Sequence, residues 1–457
     1  MTSWAPDLST ANGPRYLAIA DALAADIRAG RLAPGTRLPT HRDLAWRLGV
    51  TVGTVSRAYA EAERRGLVGG EVGRGTFVRP PPAVRSPGVP PDLVEFGVNR
   101  SPIGSEPACF ARALEAIARS PSAVDLLLYQ PHAGRAADRA AIAGWVSRAG
   151  LDADPDGIVI TDGAQHAIAV AVSALLRPGD ALACESLCYP GFKQLASLLD
   201  LRLVPVAIDE DGLVPEAFEA ACRTAGVRAL YTVPTLQNPT GSVMPEARRA
   251  EIARIAQRHD VIIIEDDVSG FLLDSPPAPI ARFTPDHSVY IGAASKSLAP
   301  GLRVGWAVSN ARASQRIAAA MRATTYVATP TAVEVIRRWI ESGEAERLVL
   351  EKRQAADRRR AIADRLIGRW GWKAQPRAFH LWLPLPDGWK AEEFAAVARR
   401  RGVLVTPGAA FYVGSGAPPE AVRLCIGAPP TEAELERGLA ALDEILSAAP
   451  APYLSVI

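Results

Sequence analysis

Six of the twelve residues from Pro80 to Pro91, "PPPAVRSPGVPP", are proline. Proline lacks an amide proton and holds φ at about −65°, so neither a helix nor a central strand crosses such a stretch. The 457-residue chain must therefore fold on either side of it: a module over 1–79, an extended and semi-rigid spacer over 80–91, and a body over 92–457. Charge divides at the same place. Residues 1–85 hold twelve arginines, no lysine and seven acids, a net of +5, whereas the remainder carries −3. A small basic module beside a nearly neutral body points to a polyanionic partner for the module alone. The 48% hydrophobic content supports well-buried cores. The opening "MTSWAPDLSTANG" has no charged stretch followed by an apolar one, and no run of about 18 apolar residues occurs, so a cytoplasmic protein with no membrane contact is expected. Five cysteines form no C-x-x-C pair, so neither a disulfide framework nor a metal site is expected.

Within the module, Leu17, Ala20, Leu23, Ala24 and Ile27 recur at three and four, one face of a helix over 14–29. The run "THRDLAWRLG" reads as a second helix, with Thr40 as its cap, Asp43 reaching back and Gly49 closing it. A third follows in "VTVGTVSRAYAEAERRG", capped by Thr51, with Val55 and Tyr59 on one face and Gly66 at its stop. Two helices joined by about three residues around a glycine are a helix-turn-helix, whose second helix enters a major groove. "LVGGEVGRGTFV" then alternates about Gly73-Arg74-Gly75 as a hairpin, or wing.

This α+β winged helix-turn-helix resembles the GntR family of regulators, and "GTRLPTHRDLAWRLGVTVGTVSRAY" carries the resemblance. It implies a double-stranded DNA operator as partner, with Arg42, Thr51, Thr54, Ser56 and Arg57 near the DNA and Arg74 and Gly75 at the wing. Arginine forks suit phosphates or guanine edges, and hydroxyls suit phosphates. Many relatives carry an arginine where this chain has Val52, which alters the base-reading pattern but not the docking mode. Arg64 and Arg65 read as solvated helix-end charges. A winged helix that binds only protein is the plainer alternative, and the charge bias opposes it.

In the body, "GIVIT", "ALACE", "RLVPV", "RALYTV", "VIIIED" and "SVYIG" alternate with helical patterns, which predicts an α/β fold with a mostly parallel sheet. Ligands of such sheets bind beyond the strand C-termini. There, Gly163-Ala164-Gln165 opens a helix where backbone amides can meet a phosphate. Tyr189 offers a flat ring, Asn238 an amide on the "QNPTG" loop, Asp266 a carboxylate, Lys296 an amine and Arg303 a phosphate fork. Each alone is more often structural: a helix start, a turn, a rim aromatic or a strand-end cap. Together they converge on pyridoxal 5′-phosphate.

From about residue 92 to 448 the chain resembles the fold-type I aminotransferases, with a smaller α+β subdomain implied, and "QNPTG" with "SKSLAPGLRVGW" makes the match specific. By that resemblance Lys296 forms the internal aldimine, Asp266 pairs the pyridinium nitrogen and Asn238 contacts the phenolic oxygen. Tyr189 stacks on the ring, while Gly163, Ala164, Gln165, Ser295 and Arg303 hold the phosphate. Tyr129 matches a tyrosine that reaches a neighbouring subunit's phosphate, and Arg423 matches the arginine that grips a substrate carboxylate. Relatives have a tyrosine two or three residues past the Asp266 position and a serine three before the lysine; here stand Val268, Ser269 and Ala293. Phe379 and His380 suggest aromatic surface near the pocket.

A GntR-like module joined by prolines to an aminotransferase-like body resembles the MocR regulators over almost the whole chain. That implies a head-to-tail homodimer that senses an amino acid or amine effector as an external aldimine, with its carboxylate on Arg423. Two alternatives stay open: an aminotransferase with an accessory DNA-binding module, and a sensor of pyridoxal phosphate alone.

Overall fold

The computed structural model describes residues 4–6, 8, 13–28, 31–33, 35–71, 75–78, 90 and 92–448. Arg74 and, apart from Pro90, the whole proline-rich stretch lie outside the described residues. The chain separates into two compact units, Met1–Arg85 and Ser86–Ile457.

In the first unit, α1 spans Arg15–Arg28, α2 His41–Leu48 and α3 Val52–Arg64. The caps are those expected. Thr40 accepts from the Asp43 amide at 3.2 Å and donates to its carboxylate at 2.6 Å, and Gly49 closes α2 at φ 62°. Thr51 accepts from the Thr54 amide at 3.2 Å to start α3. The strands β1 (Val68–Glu71) and β2 (Gly75–Val78) pair antiparallel from Val68 opposite Val78 to Glu71 opposite Gly75. One difference lies in α1, whose buried face is centred on Ile19, Ala20 and Leu23, with Leu17 only half-buried. The core also takes Leu38, Leu44, Val55, Tyr59, Val68 and Val78, and α3 packs on this side of α1.

The second unit begins with β3 (Val94–Glu95) and then builds a seven-stranded sheet. Its strands are β4 (Ile158–Thr161), β5 (Ala181–Glu185), β6 (Arg202–Val206), a small hairpin of β7 (Ile208–Asp209) and β8 (Gly212–Leu213) outside the sheet, β9 (Val227–Thr232), β10 (Ile262–Asp266), β11 (Ser288–Ala293) and β12 (Gly305–Ser309). Their order is β4-β12-β11-β10-β9-β5-β6. β4, β5 and β11 are buried throughout, which is why they read as apolar runs without alternation. β12 was not among the six strands expected from the sequence. It runs antiparallel to β11 and β4, because Ala294–Val304 is too short for the helical crossover that a parallel partner requires. That short connection carries Lys296 and Arg303.

The smaller subdomain is a three-stranded sheet of β13 (Leu381–Pro384), β16 (Ala421–Leu424) and β15 (Thr406–Pro407), backed by helices Glu344–Ile367, Ala391–Arg400 and Glu432–Ser447. Separately, β14 (Val403–Leu404) pairs in parallel with β3, so residues just past the proline-rich stretch are stitched into this subdomain. No helix among the described residues is long and apolar enough to cross a membrane.

The start of β12 passes against the helix opened by Gly163. A Cβ on Gly305 would lie 2.5 Å from the Gly163 carbonyl carbon and 2.7 Å from the Ala164 nitrogen, both backbone atoms that cannot yield cheaply. Gly305→Ala should destabilise the protein by about 1–3 kcal/mol, read as a lower urea midpoint.

Candidate functional site

A cavity of about 520 Å³ opens at the C-terminal ends of the central strands. Ala164, Gln165, Tyr189, Asn238, Asp266, Ser295, Lys296, Arg303 and Arg423 all line it. Gly163 lies directly behind: it caps helix Ala164–Leu175 at φ 83°, and a Cβ there would come within 2.5 Å of Arg303 Nη2. The guanidinium thus lies across a helix N-terminus, donating to Asp162 O at 3.3 Å. Helix end and guanidinium together make an anion site. Gln165 Nε2 donates to Gly191 O at 3.1 Å and its Oε1 is buried without a partner. Tyr189 forms part of the wall, and burial pushes its phenol pKa up.

Asp266 ends β10. Tyr231 Oη donates to its Oδ2 at 2.7 Å, and its Oδ1 is buried with no partner. Burial pushes its pKa up, against the Tyr231 bond and the charge of Lys296. Asn238 is carried by a loop tied to Glu185 of β5. That carboxylate accepts from Thr232 Oγ1 at 2.7 Å, the Val233 amide at 3.0 Å and Gln237 Nε2 at 3.0 Å, yet burial still raises its pKa to about 7.

Lys296 Nζ donates to Asn99 O. Burial lowers its pKa from 10.5 to about 8, with Arg423 and Arg303 pushing the same way and Asp266 opposing. Arg423 donates from Nη1 to Asn238 Oδ1 at 2.8 Å and from Nη2 to Gly97 O, and it lies 4.8 Å over the Phe411 ring. Its Nε is buried without a partner, and among the described residues no carboxylate pairs with it. The buried ion pair that would have made Arg423 purely structural is therefore not formed.

Tyr129 is not in its own chain's cavity. It is 88% exposed beside Leu127 and Leu128, with its ring 5.2 Å from that of Tyr326. Val268 and Ser269 do line the cavity, and Ala293 is buried in β11. Phe379 and His380 correct the expectation of aromatic surface there. Both are buried, Phe379 among Leu236, Leu272 and Ala378, and neither lines the cavity. His380 Nε2 instead donates to Gln237 O at 2.8 Å, and burial drops its pKa to about 4. Neither Tyr231 nor Asn99 could be singled out from sequence. Tyr231 was one more apolar strand residue in "RALYTV", and Asn99 acts through its backbone carbonyl, which no side-chain pattern announces.

On the first unit, Arg42, Thr51, Arg57 and Gly75 are exposed, while Thr54 and Ser56 are half-buried. Thr51 and Thr54 share a hydroxyl contact at 2.9 Å, Ser56 meets His41 Nδ1 at 3.0 Å, and the Arg57 guanidinium lies 4.2 Å over the Tyr16 ring. Arg64 and Arg65 are not simply solvated. Both pair with Glu61, at 2.7 and 2.6 Å, and Arg65 also with Asp21, pulling the Glu61 pKa down to about 2.

Residues 91–442 match the family model of aminotransferase class I and II, and residues 15–78 that of the bacterial regulatory proteins of the gntR family. The chain is 33% identical over 453 residues to the HTH-type transcriptional regulator YdeF of Bacillus subtilis strain 168, covering 97% of each. It is 28% identical over 414 residues to the vitamin B6 salvage pathway transcriptional repressor PtsJ of Salmonella typhimurium strain LT2, covering 89% of this chain and 93% of that one. Among solved structures, kynurenine aminotransferase of Pyrococcus horikoshii matches with a TM-score of 0.72 at 26% identity, over 78% of this chain and 91% of the other.

Only a neutral amine attacks a carbonyl, so the lowered pKa of Lys296 has a direct readout. The rate at which an aldehyde condenses with Lys296 should climb with pH and level off near pH 8. At pH 7 its neutral fraction exceeds that of an ordinary lysine by about 300-fold. A rate still rising tenfold per unit above pH 9 would contradict the assignment.

Proposed function

The chain belongs to the MocR-type regulators, a GntR-family winged helix joined to an aminotransferase class I and II domain, and on that premise we propose that an amino compound captured at Lys296 sets its affinity for DNA. The observation that carries this reading is one cavity holding both a low-pKa amine and a buried carboxylate oxygen, Asp266 Oδ1, that has no partner. The aminotransferase fold implies dependence on pyridoxal 5′-phosphate, which when bound supplies an aldehyde that condenses with primary amines.

The residues present fit that group. Asp266 Oδ1 would receive the ring N–H, an acceptor's natural partner for an oxygen otherwise stranded. Arg303, Ser295, Gln165 and the amides at Gly163 and Ala164 would hold the phosphate at the helix end. Tyr189 would stack on the ring, Asn238 would face the phenolic oxygen and Lys296 would hold the aldehyde. Arg423, with neutral acceptors only, is free to take the effector's carboxylate in a bidentate fork. That PtsJ is a repressor of a vitamin B6 salvage pathway supports a cofactor of this class for the relatives.

We assign 1–79 to DNA binding, 80–91 to the spacer and 92–457 to sensing. Arg42, Thr51, Thr54, Ser56 and Arg57, with Arg74 and Gly75 at the wing, would face a DNA operator. The exposed run with Val124, Leu127, Leu128 and Tyr129 supports a head-to-tail homodimer in which Tyr129 completes the neighbour's phosphate site. An aminotransferase would use the same residues. Val268 and Ser269, in place of a tyrosine on the phenolic oxygen, favour sensing over turnover.

The test follows the visible spectrum of cofactor-loaded, full-length protein titrated with amino acids and amines, then the affinity for DNA selected from a random pool. One amine should alter both, shifting DNA affinity by about 5-fold to 150-fold, and that DNA must shift the amine's affinity by the same factor. A lasting spectral change with unaltered DNA affinity defeats the proposal, and rapid cycling with a 2-oxo acid replaces it with the enzyme. Arg423→Ala should keep the cofactor spectrum but lose the response to carboxylate-bearing effectors. Arg42→Ala should weaken binding to all DNA sequences alike and flatten the salt dependence.

A further inference from the structure

The chain enters the cavity almost as soon as it leaves the proline-rich stretch. Gly97 O accepts from Arg423 Nη2, and Asn99 O accepts from Lys296 Nζ. One three-residue segment thus satisfies both cations on which ligand capture depends. On either side this segment is pinned. The Val94 amide donates to Gly402 O at 2.8 Å, the Phe96 amide to Leu404 O at 2.8 Å, and Phe96 O accepts from the Cys425 amide at 2.9 Å. Beyond it, Arg100 Nη2 donates to Ala428 O at 2.6 Å, and Lys352 Nζ donates to Pro102 O.

Between these pins the hold is slight. Val98 lines the cavity yet is 45% exposed. Its side-chain anchors are Glu95 Oε1, which accepts from the Gly97 amide, and His380 Nδ1, which accepts from Asn99 Nδ2 at 3.3 Å. His380 can accept there because its Nε2 donates to Gln237 O, which leaves Nδ1 unprotonated in the neutral ring.

A neutral carbonyl is a weaker partner for a guanidinium than a carboxylate, which brings an opposite charge and two parallel hydrogen bonds. A ligand carboxylate therefore wins Arg423 from Gly97 O, and an aldehyde held by Lys296 takes that nitrogen from Asn99 O. We propose that Gly97–Asn99 is a strap that competes with the aldehyde for Lys296 and with a ligand carboxylate for Arg423, and that it is displaced from Arg423 when an amine bearing a carboxylate fills the cavity. This rests on the reading that the cavity takes pyridoxal phosphate and an amino compound. It adds a moving part to that reading: the strap lowers affinity in exchange for a change in the segment that directly follows β3 on the path from the spacer.

The test titrates full-length protein calorimetrically with two stable adducts, phosphopyridoxyl-L-alanine and phosphopyridoxyl-ethylamine, the second lacking the carboxylate. Asn99→Ala removes the His380 anchor and leaves every charge of the cavity in place. It should bind the alanine adduct about threefold to tenfold more tightly than the unaltered protein, with a smaller gain for the ethylamine adduct. A residue of merely structural value would weaken binding instead, so equal or weaker binding of the alanine adduct by folded Asn99→Ala overturns the strap. Where that variant does not fold, Val98→Cys with an environment-sensitive dye decides. Its emission should shift with the alanine adduct and little with the ethylamine adduct, and an unchanged emission with the alanine adduct overturns the proposal. If the unaltered protein binds neither adduct, the cofactor reading fails first and the strap falls with it.

Discussion

Glu265 and Asp266 end β10 and Asp267 follows them, and the site depends on how the burial of these three carboxylates is compensated. An ionised carboxylate taken out of water costs several kcal/mol unless it is paired or hydrogen-bonded. Glu265 accepts from the Ile280 and Ala281 amides at 2.8 and 2.9 Å and lies 3.9 Å from Arg249 Nη1. Asp267 accepts from Tyr290 Oη at 3.1 Å. Burial even so pushes these two pKa values to about 7 and about 6. Side chains alternate along a strand, so tying the outer two to one face delivers Asp266 to the other, where the cavity lies. Tyr231 then satisfies Oδ2 and leaves Oδ1 over. A ring N–H would satisfy that oxygen, so under the proposed reading the position would favour a protonated heterocycle over a neutral one.

Much of this was legible because it depends on local rules. Thr40, Gly49 and Thr51 bound their helices as a cap rule requires, and the apolar runs became buried strands. Lys296 and Arg303 could be singled out since small and apolar neighbours made a charged residue conspicuous. What escaped depends on contacts between distant segments. β12 needed the length of its own connection to be weighed against the geometry of a parallel crossover. Tyr231 and Glu185 look like strand residues until the fold sets a carboxylate beside one and a loop of donors beside the other. Phe379 and His380 suggested aromatic surface near the pocket, but the His380 ring serves as a buried bridge between Gln237 and Asn99.

The winged-helix module shows the same economy at a smaller scale. Thr51 is at once the cap of α3 and part of the surface expected to meet DNA. A hydroxyl that caps a helix by accepting still has its O–H to turn and donate to a phosphate, so the two duties are compatible at a helix start. Arg57 is already stacked on Tyr16, which narrows its reach and orients its planar face before any DNA arrives. Arg64 and Arg65, spent on Glu61 and Asp21, contribute little to the field that a phosphate backbone would feel. The net positive charge of the module thus overstates the number of arginines available to DNA, and among the described residues α2 presents the exposed Arg42 and Arg47.

Arg423 shows why the choice of neutral partners matters. Had a carboxylate met it, as for Arg135 between Asp138 and Glu334, the charge would be neutralised within the fold and a ligand anion would gain little. Asn238 Oδ1 and Gly97 O instead satisfy hydrogen-bonding capacity without cancelling charge. The guanidinium remains a full positive charge in a partly dry cavity, close enough to Lys296 to help hold that amine below its ordinary pKa. An incoming carboxylate would relieve both conditions together: it neutralises Arg423 and removes one source of the pressure on Lys296. The two groups are therefore coupled through electrostatics before any movement of the chain. An amine that brings its own carboxylate engages both, whereas one that lacks it must leave the arginine on its carbonyl.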